Sequence, residues 1–198
     1  GVAFRDAALV EPLACVVKSL RRSGVRSGDR LYVIGLGVMG QLHVLAAGAL
    51  GVQVYGSDFV EERRDIANVN GAVAFHPDEA ERVLPEGADA VICGPGSVAA
   101  MQAASQAAAG GGTIVMFTPF PPDVAVTLDP TRFYFGDLRL VASYSCGPDD
   151  TRAALSLIER GVVTAEKVGA SFVSLDEVPR AYRELAQARI VKPIVCFD

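Results

Sequence analysis

The chain has 198 residues, of which 51% are hydrophobic and 21% charged, with 20 glycines, 11 prolines and a formal net charge of −5. Such a length and apolar content bury a core in one large α/β domain, or two small ones at most. They exclude a disordered chain, which needs low hydrophobicity and high net charge. The acidic balance opposes any grip on phosphate backbones, so neither nucleic acid nor an anionic membrane surface is an expected partner.

The first predicted element is a helix over residues 12–22, with Pro12 in its first turn and Gly24 beyond its end. Strand and helix then alternate. A β-rich run over 31–35 leads through a glycine-punctuated turn into a helix over 41–50. Strand 52–55 precedes helix 60–69, and strand 72–75 precedes a short helix over 78–84. Strand 89–93 is followed by an alanine-rich helix that Ser97 caps and that runs to 109. Further strands are expected over 113–117 and 138–143. A helix opens at Pro148 and runs to about residue 160, a last long helix covers 176–188, and a closing strand covers 190–197.

Continuous apolar strands separated by helices indicate a parallel sheet covered on both faces. The expected fold is therefore α/β: a doubly wound, six-stranded parallel sheet of Rossmann type in three α/β/α layers. No linker and no repeat interrupts it, so residues 1–198 read as one unit. The charge-free stretches 31–57 and 91–122 are broken by glycines or prolines and lack the unbroken apolar run of a spanning helix. They read as core. Cys15, Cys93, Cys146 and Cys196 are each at least fifty residues from the next and form no CxxC. They read as small core residues in a reducing, cytoplasmic setting. No signal peptide is legible, and the first residue is Gly1, as in a processed chain or part of a longer one.

The strongest chemical signal is Gly35-Leu36-Gly37-Val38-Met39-Gly40, a GxGxxG that follows a hydrophobic strand directly and opens a helix. Gly35 suits the tight turn, Gly37 the approach of a pyrophosphate, and Gly40 close packing of helix on strand. No charged side chain occupies the first turns of that helix, leaving its N–H groups and dipole to an anion. Asp58 ends the second strand, 18 residues past Gly40, where an acidic side chain accepts the adenosine ribose hydroxyls. A carboxylate there repels a 2′-phosphate, which favours NAD over NADP, although Arg63 and Arg64 stand nearby.

Together with the run Glu11-Pro12-Leu13-Ala14 before its helix, the segment Gly110–Phe117, residues 138–148 (LRLVASYSCGP) and the ending Lys192-Pro-Ile-Val-Cys-Phe, these motifs resemble the medium-chain, zinc-dependent alcohol dehydrogenase family. Its sorbitol and threonine dehydrogenase branch is most similar. The resemblance covers essentially the whole chain, but only the second half of the family's polypeptide. It implies that Gly35, Gly37, Val38, Met39, Gly40, Asp58 and Arg63 contact the adenosine and pyrophosphate portions of NAD, and that Cys93 and Gly94 lie where the dinucleotide passes over the sheet edge. Phe117, Thr118 and Pro119, then Ser143, Tyr144 and Ser145, match the segments flanking the nicotinamide. Glu11 matches a glutamate of the catalytic zinc shell, and equally suits a helix N-terminus.

The family's first domain, with its Cys and His-Glu zinc ligands, and its four-cysteine structural zinc cluster have no counterpart here. His43, inside a helix, and His76, in an Asp-rich turn, do not replace them. No catalytic residue is expected within this chain, which alone should neither hold zinc tightly nor turn over an alcohol; residues 1–28 and 185–198 are the expected junction with a catalytic domain. The implied function is that of the NAD-binding part of a dehydrogenase acting on a small secondary alcohol or polyol, with zinc supplied in the full-length parent. A homo-oligomer formed through edge strands is also implied, with 123–127 as a candidate edge. A non-catalytic NAD(H) sensor and a methyltransferase share the glycine loop and remain open. A short-chain reductase is disfavoured, because no Tyr is followed three residues later by Lys.

Overall fold

The computed structural model describes residues 1–197. In chain order the elements are α1 (Phe4–Ala7), α2 (Val10–Ser23), β1 (Arg30–Ile34), α3 (Val38–Gly48), β2 (Gln53–Ser57), α4 (Glu61–Val69) and β3 (Val73–Phe75). There follow α5 (Ala80–Val83), β4 (Ala88–Cys93), α6 (Val98–Ala107), β5 (Ala108–Met116), α7 (Pro130–Phe135), β6 (Arg139–Ala142), α8 (Pro148–Glu159), β7 (Ala170–Val173), α9 (Val178–Ala186) and β8 (Lys192–Val195).

Six strands form one parallel sheet in the order β3-β2-β1-β4-β5-β6, the doubly wound arrangement expected. The order reverses between β1 and β4, so the crevice at that switch point opens at the strands' C-terminal ends. Period-two alternation explains the three layers. Leu31 and Val33 of β1, with Ala90 and Ile92 of β4, join the core beneath α2, α3 and α8. Tyr32, Ile34, Val91 and Cys93 point the other way, to the core shared with Met101 and Ala104 of α6. Each fully buried leucine here, such as Leu13, Leu31 or Leu42, contributes roughly 1.5–3 kcal/mol against the entropy of ordering.

Several elements differ from the sequence reading. Helix α3 begins at Val38 rather than 41, because Gly37 in extended conformation serves as its N-cap. Gly40 therefore lies inside the first turn. Ser97 caps α6 as expected, its Oγ accepting the Ala100 N–H at 3.2 Å, but the helix stops at Ala107 and β5 starts at once. Residues 123–127 form no strand; the two edges of the sheet are β3 and β6. The closing strand is shorter than expected and pairs in parallel with β7 in a separate two-stranded sheet. Of the junction 185–198, residue 198 lies outside the described residues. Among the described residues, no helix is long and apolar enough to cross a membrane.

Candidate functional site

The glycine loop is held from below by backbone and from the side by one carboxylate. Gly35 has φ 88°, a left-handed conformation that a side chain strains, and its N–H donates to the Ser57 carbonyl at 2.8 Å. A Cβ on Gly40 would stand 2.1 Å from the Gly35 carbonyl oxygen, so only glycine lets α3 start this close to β1. Leu36 fills the space left by Gly56 on β2, where a Cβ would come within 2.7 Å of the leucine side chain. Gly37 differs from both: a Cβ there would meet nothing nearer than Arg63 Nη1 at 4.0 Å. Its bareness opens space rather than relieving a clash. The first turn of α3 leaves its N–H groups without intrahelical partners and carries no acidic residue.

Asp58 directly follows β2 beneath this loop and is only 9% exposed. Its Oδ2 accepts the Leu36 N–H at 2.8 Å and its Oδ1 the Val60 N–H at 2.9 Å. Arg63, on α4, brings Nη1 to 3.5 Å from Asp58 Oδ2. Its Nε is buried without an acceptor, so an anion at the loop would satisfy it. Arg64 is committed instead to the Asp58 and Phe59 carbonyls. Gln41, which the sequence reading passed over, ties the site together. Its Nε2 donates to the Leu36 carbonyl at 2.9 Å and to the Arg63 carbonyl at 2.8 Å. A lone amide directly after the motif, in a helix whose only other polar side chain is His43, was the available signal.

The glycine loop, Asp58, Arg63, Gly94, Phe117 and Thr118 line one continuous cleft of about 1320 Å³. Val38 and Met39 also face it. Gly94 passes so near β1 that a Cβ would lie 2.4 Å from the Ile34 carbonyl oxygen. Cys93 does not reach the cleft: it is buried, its thiol faces the Pro95 carbonyl at 3.4 Å, and burial pushes its pKa up to about 11. Pro119 follows Thr118 and Ser143-Tyr144-Ser145 follow β6, and none of the four is among the residues lining the cleft. Ser143 is buried with its hydroxyl unpartnered, Tyr144 is exposed, and Ser145 has φ 58°.

His43 lies against the cleft but is a core residue. Its ring packs edge-on to Phe117, its Nδ1 is 2.7 Å from the Met39 carbonyl, and its Nε2 is 2.6 Å from Ser19 Oγ on α2. The carbonyl requires a proton on Nδ1, which leaves Nε2 to accept from Ser19. Burial lowers its pKa to about 4, so it stays neutral.

Glu11 lies on the exposed side of α2, in its first turn. Cys15 stands one turn on, and its thiol donates to Glu11 Oε1 at 3.4 Å. Burial first, then the Glu11 hydrogen bond and charge, push the Cys15 pKa up to about 12. Cys146 arrives from the segment after β6. The Glu11 carboxylate and both sulfurs lie within 4.8 Å of one another. One oxygen and two sulfurs are donors that zinc accepts, so the residues present fit that metal.

A family model described as zinc-binding dehydrogenase matches residues 38–160. Over 204 residues the chain is 26% identical to 2-dehydro-3-deoxy-L-galactonate 5-dehydrogenase of Pseudoalteromonas atlantica, a match covering 94% of this chain and 59% of that protein. It is 25% identical over 214 residues to D-xylulose reductase A of Aspergillus niger, covering 98% of this chain and 58% of that one. Among solved structures, a zinc-binding dehydrogenase from Sinorhizobium meliloti 1021, bound to NADP, matches with a TM-score of 0.88 and 30% identity. That match covers 96% of this chain and 58% of the other. The chain thus spans just under three-fifths of the length of these relatives.

Proposed function

Because the chain belongs to the zinc-binding dehydrogenase family, we propose that it is the nucleotide-binding part of an oxidoreductase that passes a hydride from a secondary alcohol or polyol to NAD. The observation that carries this reading is the glycine loop: a helix N-terminus bare of side chains at Gly37, braced by Asp58, with the orphaned Arg63 Nε beside it. When bound, NAD accepts the hydride, and zinc in the full-length enzyme polarises the substrate hydroxyl. This chain's residues bind and orient. The α3 N-terminus and Arg63 take the pyrophosphate, and the remaining lone pairs of Asp58 accept the ribose hydroxyls. Phe117, Thr118 and Pro119 form one wall for the nicotinamide, Ser143, Tyr144 and Ser145 the other, and the unpartnered Ser143 hydroxyl suits its carboxamide. Cys93 supports the Gly94 turn from below. Glu11 belongs to the zinc shell.

The names of the relatives point to sugar-derived and polyol substrates of small size. The unpaired cysteines suit the cytoplasm, and the free edge of β6 suits a homo-oligomer. The test is calorimetric titration of the chain with NADH and with NADPH, zinc omitted. Saturable NADH binding, tighter than NADPH, is expected. Tighter NADPH binding would reverse the cofactor preference, as the NADP in the S. meliloti relative makes a fair contest. Binding of neither would remove the nucleotide reading for the isolated chain.

A further inference from the structure

Cys15 and Cys146 are separated by most of the chain, yet their sulfurs meet at one carboxylate. The meeting is latched on both sides. Before Cys146, Lys18 of α2 donates from Nζ to the Tyr144 carbonyl at 2.8 Å. After it, Asp150 Oδ2 accepts the Gly147 N–H at 2.8 Å, and Arg21 of α2 lies 2.9 Å from Asp150 Oδ1, paired by charge although no N–H points squarely at that oxygen. Between the latches, Ser145 turns the chain through a left-handed conformation that a serine adopts only when its surroundings require it. Three contacts and a strained turn thus hold a thiol over the Glu11 and Cys15 face of α2.

The spacing has a chemical meaning. Donors of a tetrahedral site with bonds of about 2.1–2.3 Å stand about 3.4–3.8 Å apart. Glu11 Oε1 and Cys15 Sγ are 3.4 Å apart, and no pair in the trio exceeds 4.8 Å, a gap that side-chain rotation closes. We propose that Glu11, Cys15 and Cys146 form a binding site for a soft divalent cation of the zinc and cadmium class, with a fourth position left to water or to a donor from outside this chain. The two sulfurs select this class over magnesium or calcium, which take oxygen donors. Binding exchanges two thiol protons for the cation, and the protons go to solvent. The family resemblance gives a zinc role to Glu11 alone; the two thiols are contributed by this sequence. None of the three residues lines the glycine-loop cleft, although Cys146 directly follows the Ser143–Ser145 segment assigned above to the nicotinamide.

The test is titration of the reduced full chain with Cd²⁺, followed through the ultraviolet thiolate-to-cadmium charge-transfer band and then through displacement by Zn²⁺. One equivalent should bind. Cys15→Ser and Cys146→Ser should each lose at least tenfold in affinity and most of the band, Glu11→Gln should weaken binding with the band retained, and Cys196→Ser should change neither. A readout free of substitutions is alkylation: Cd²⁺ should protect Cys15 and Cys146, but not the exposed Cys196, from iodoacetamide. Absence of the band, a band lost only in Cys196→Ser, or equal alkylation of Cys15 and Cys146 with and without Cd²⁺ would overturn the proposal. NADH titration of the same samples keeps this outcome separate from the nucleotide reading.

Discussion

Two glycines of one motif do opposite work, and alanine separates them. At Gly40 a Cβ meets a backbone oxygen at 2.1 Å; Gly40→Ala should cost about 3 kcal/mol or more, as overpacking against fixed backbone does. The melting temperature would fall by roughly 6–12 °C for a domain of this size. At Gly37 the space is open, so Gly37→Ala should melt near the parent temperature while losing NADH affinity at least tenfold. Differential scanning calorimetry and NADH titration of both variants check the contrast, and equal loss of stability in the two would refute it. Asp58 needs a gentler probe, because its carboxylate also holds the Leu36 and Val60 N–H groups. Asp58→Asn keeps an acceptor but removes the charge. NADH binding should weaken by roughly 10–100-fold, the range for a lost hydrogen bond to a charged group, with NADPH gaining relative to it. An unchanged NADH-to-NADPH ratio would remove Asp58 from the ribose.

At the scale of elements, the contact of α2 with α3 runs through Ser19 and His43 and gives the fold a dependence on pH. With a folded pKa of about 4 against 6.5, the unfolded chain takes up the proton first as pH falls. His43 therefore contributes its full share above about pH 6.5 and loses it progressively down to about pH 4, an amount of roughly 3 kcal/mol. Urea unfolding at pH 7.5 and 4.5 should show this loss, and His43→Gln should flatten it; an identical slope in the variant would place the acid sensitivity elsewhere. Most elements were legible in the sequence because each sheet strand is a run of apolar residues between punctuating glycines. The exceptions have physical reasons. The Ala-Ser-Phe-Val of β7 is short and half-buried, and gains strand character only from β8. Asp129-Pro130 did announce α7, with the Asp129 carboxylate accepting two N–H groups, but six residues carry too little periodicity. At the site, the glycine loop and Asp58 lie close in sequence and were readable together. Glu11 and Cys15 share a helix face by spacing, whereas Cys146 reaches them only through tertiary packing.

For the whole molecule, the sheet has two kinds of edge. β3 is three residues long, whereas β6 carries the partly exposed Leu140 and follows α7, whose Tyr134 and Phe135 rings are 80% and 82% accessible. If this edge joins two copies, Leu140→Asp combined with Phe135→Asp should convert a dimer into a monomer in light scattering. A parent chain already monomeric at high concentration would exclude the pairing.

The central place of β1 also has a cost during synthesis. Arg30 faces Gln53 on one side, while Leu31 waits for Ala90 on the other. On a ribosome delivering the chain from its N-terminus, the β1–β2–β3 ribbon emerges with one side of an apolar strand bare until β4 follows. Chains released after residue 87 should therefore aggregate or recruit chaperones, while chains released after β5 should remain dispersed, a contrast that sedimentation of truncated translation products reads directly. A strand order usually discussed as the cradle of a ligand thus also sets the interval over which the nascent protein needs protection.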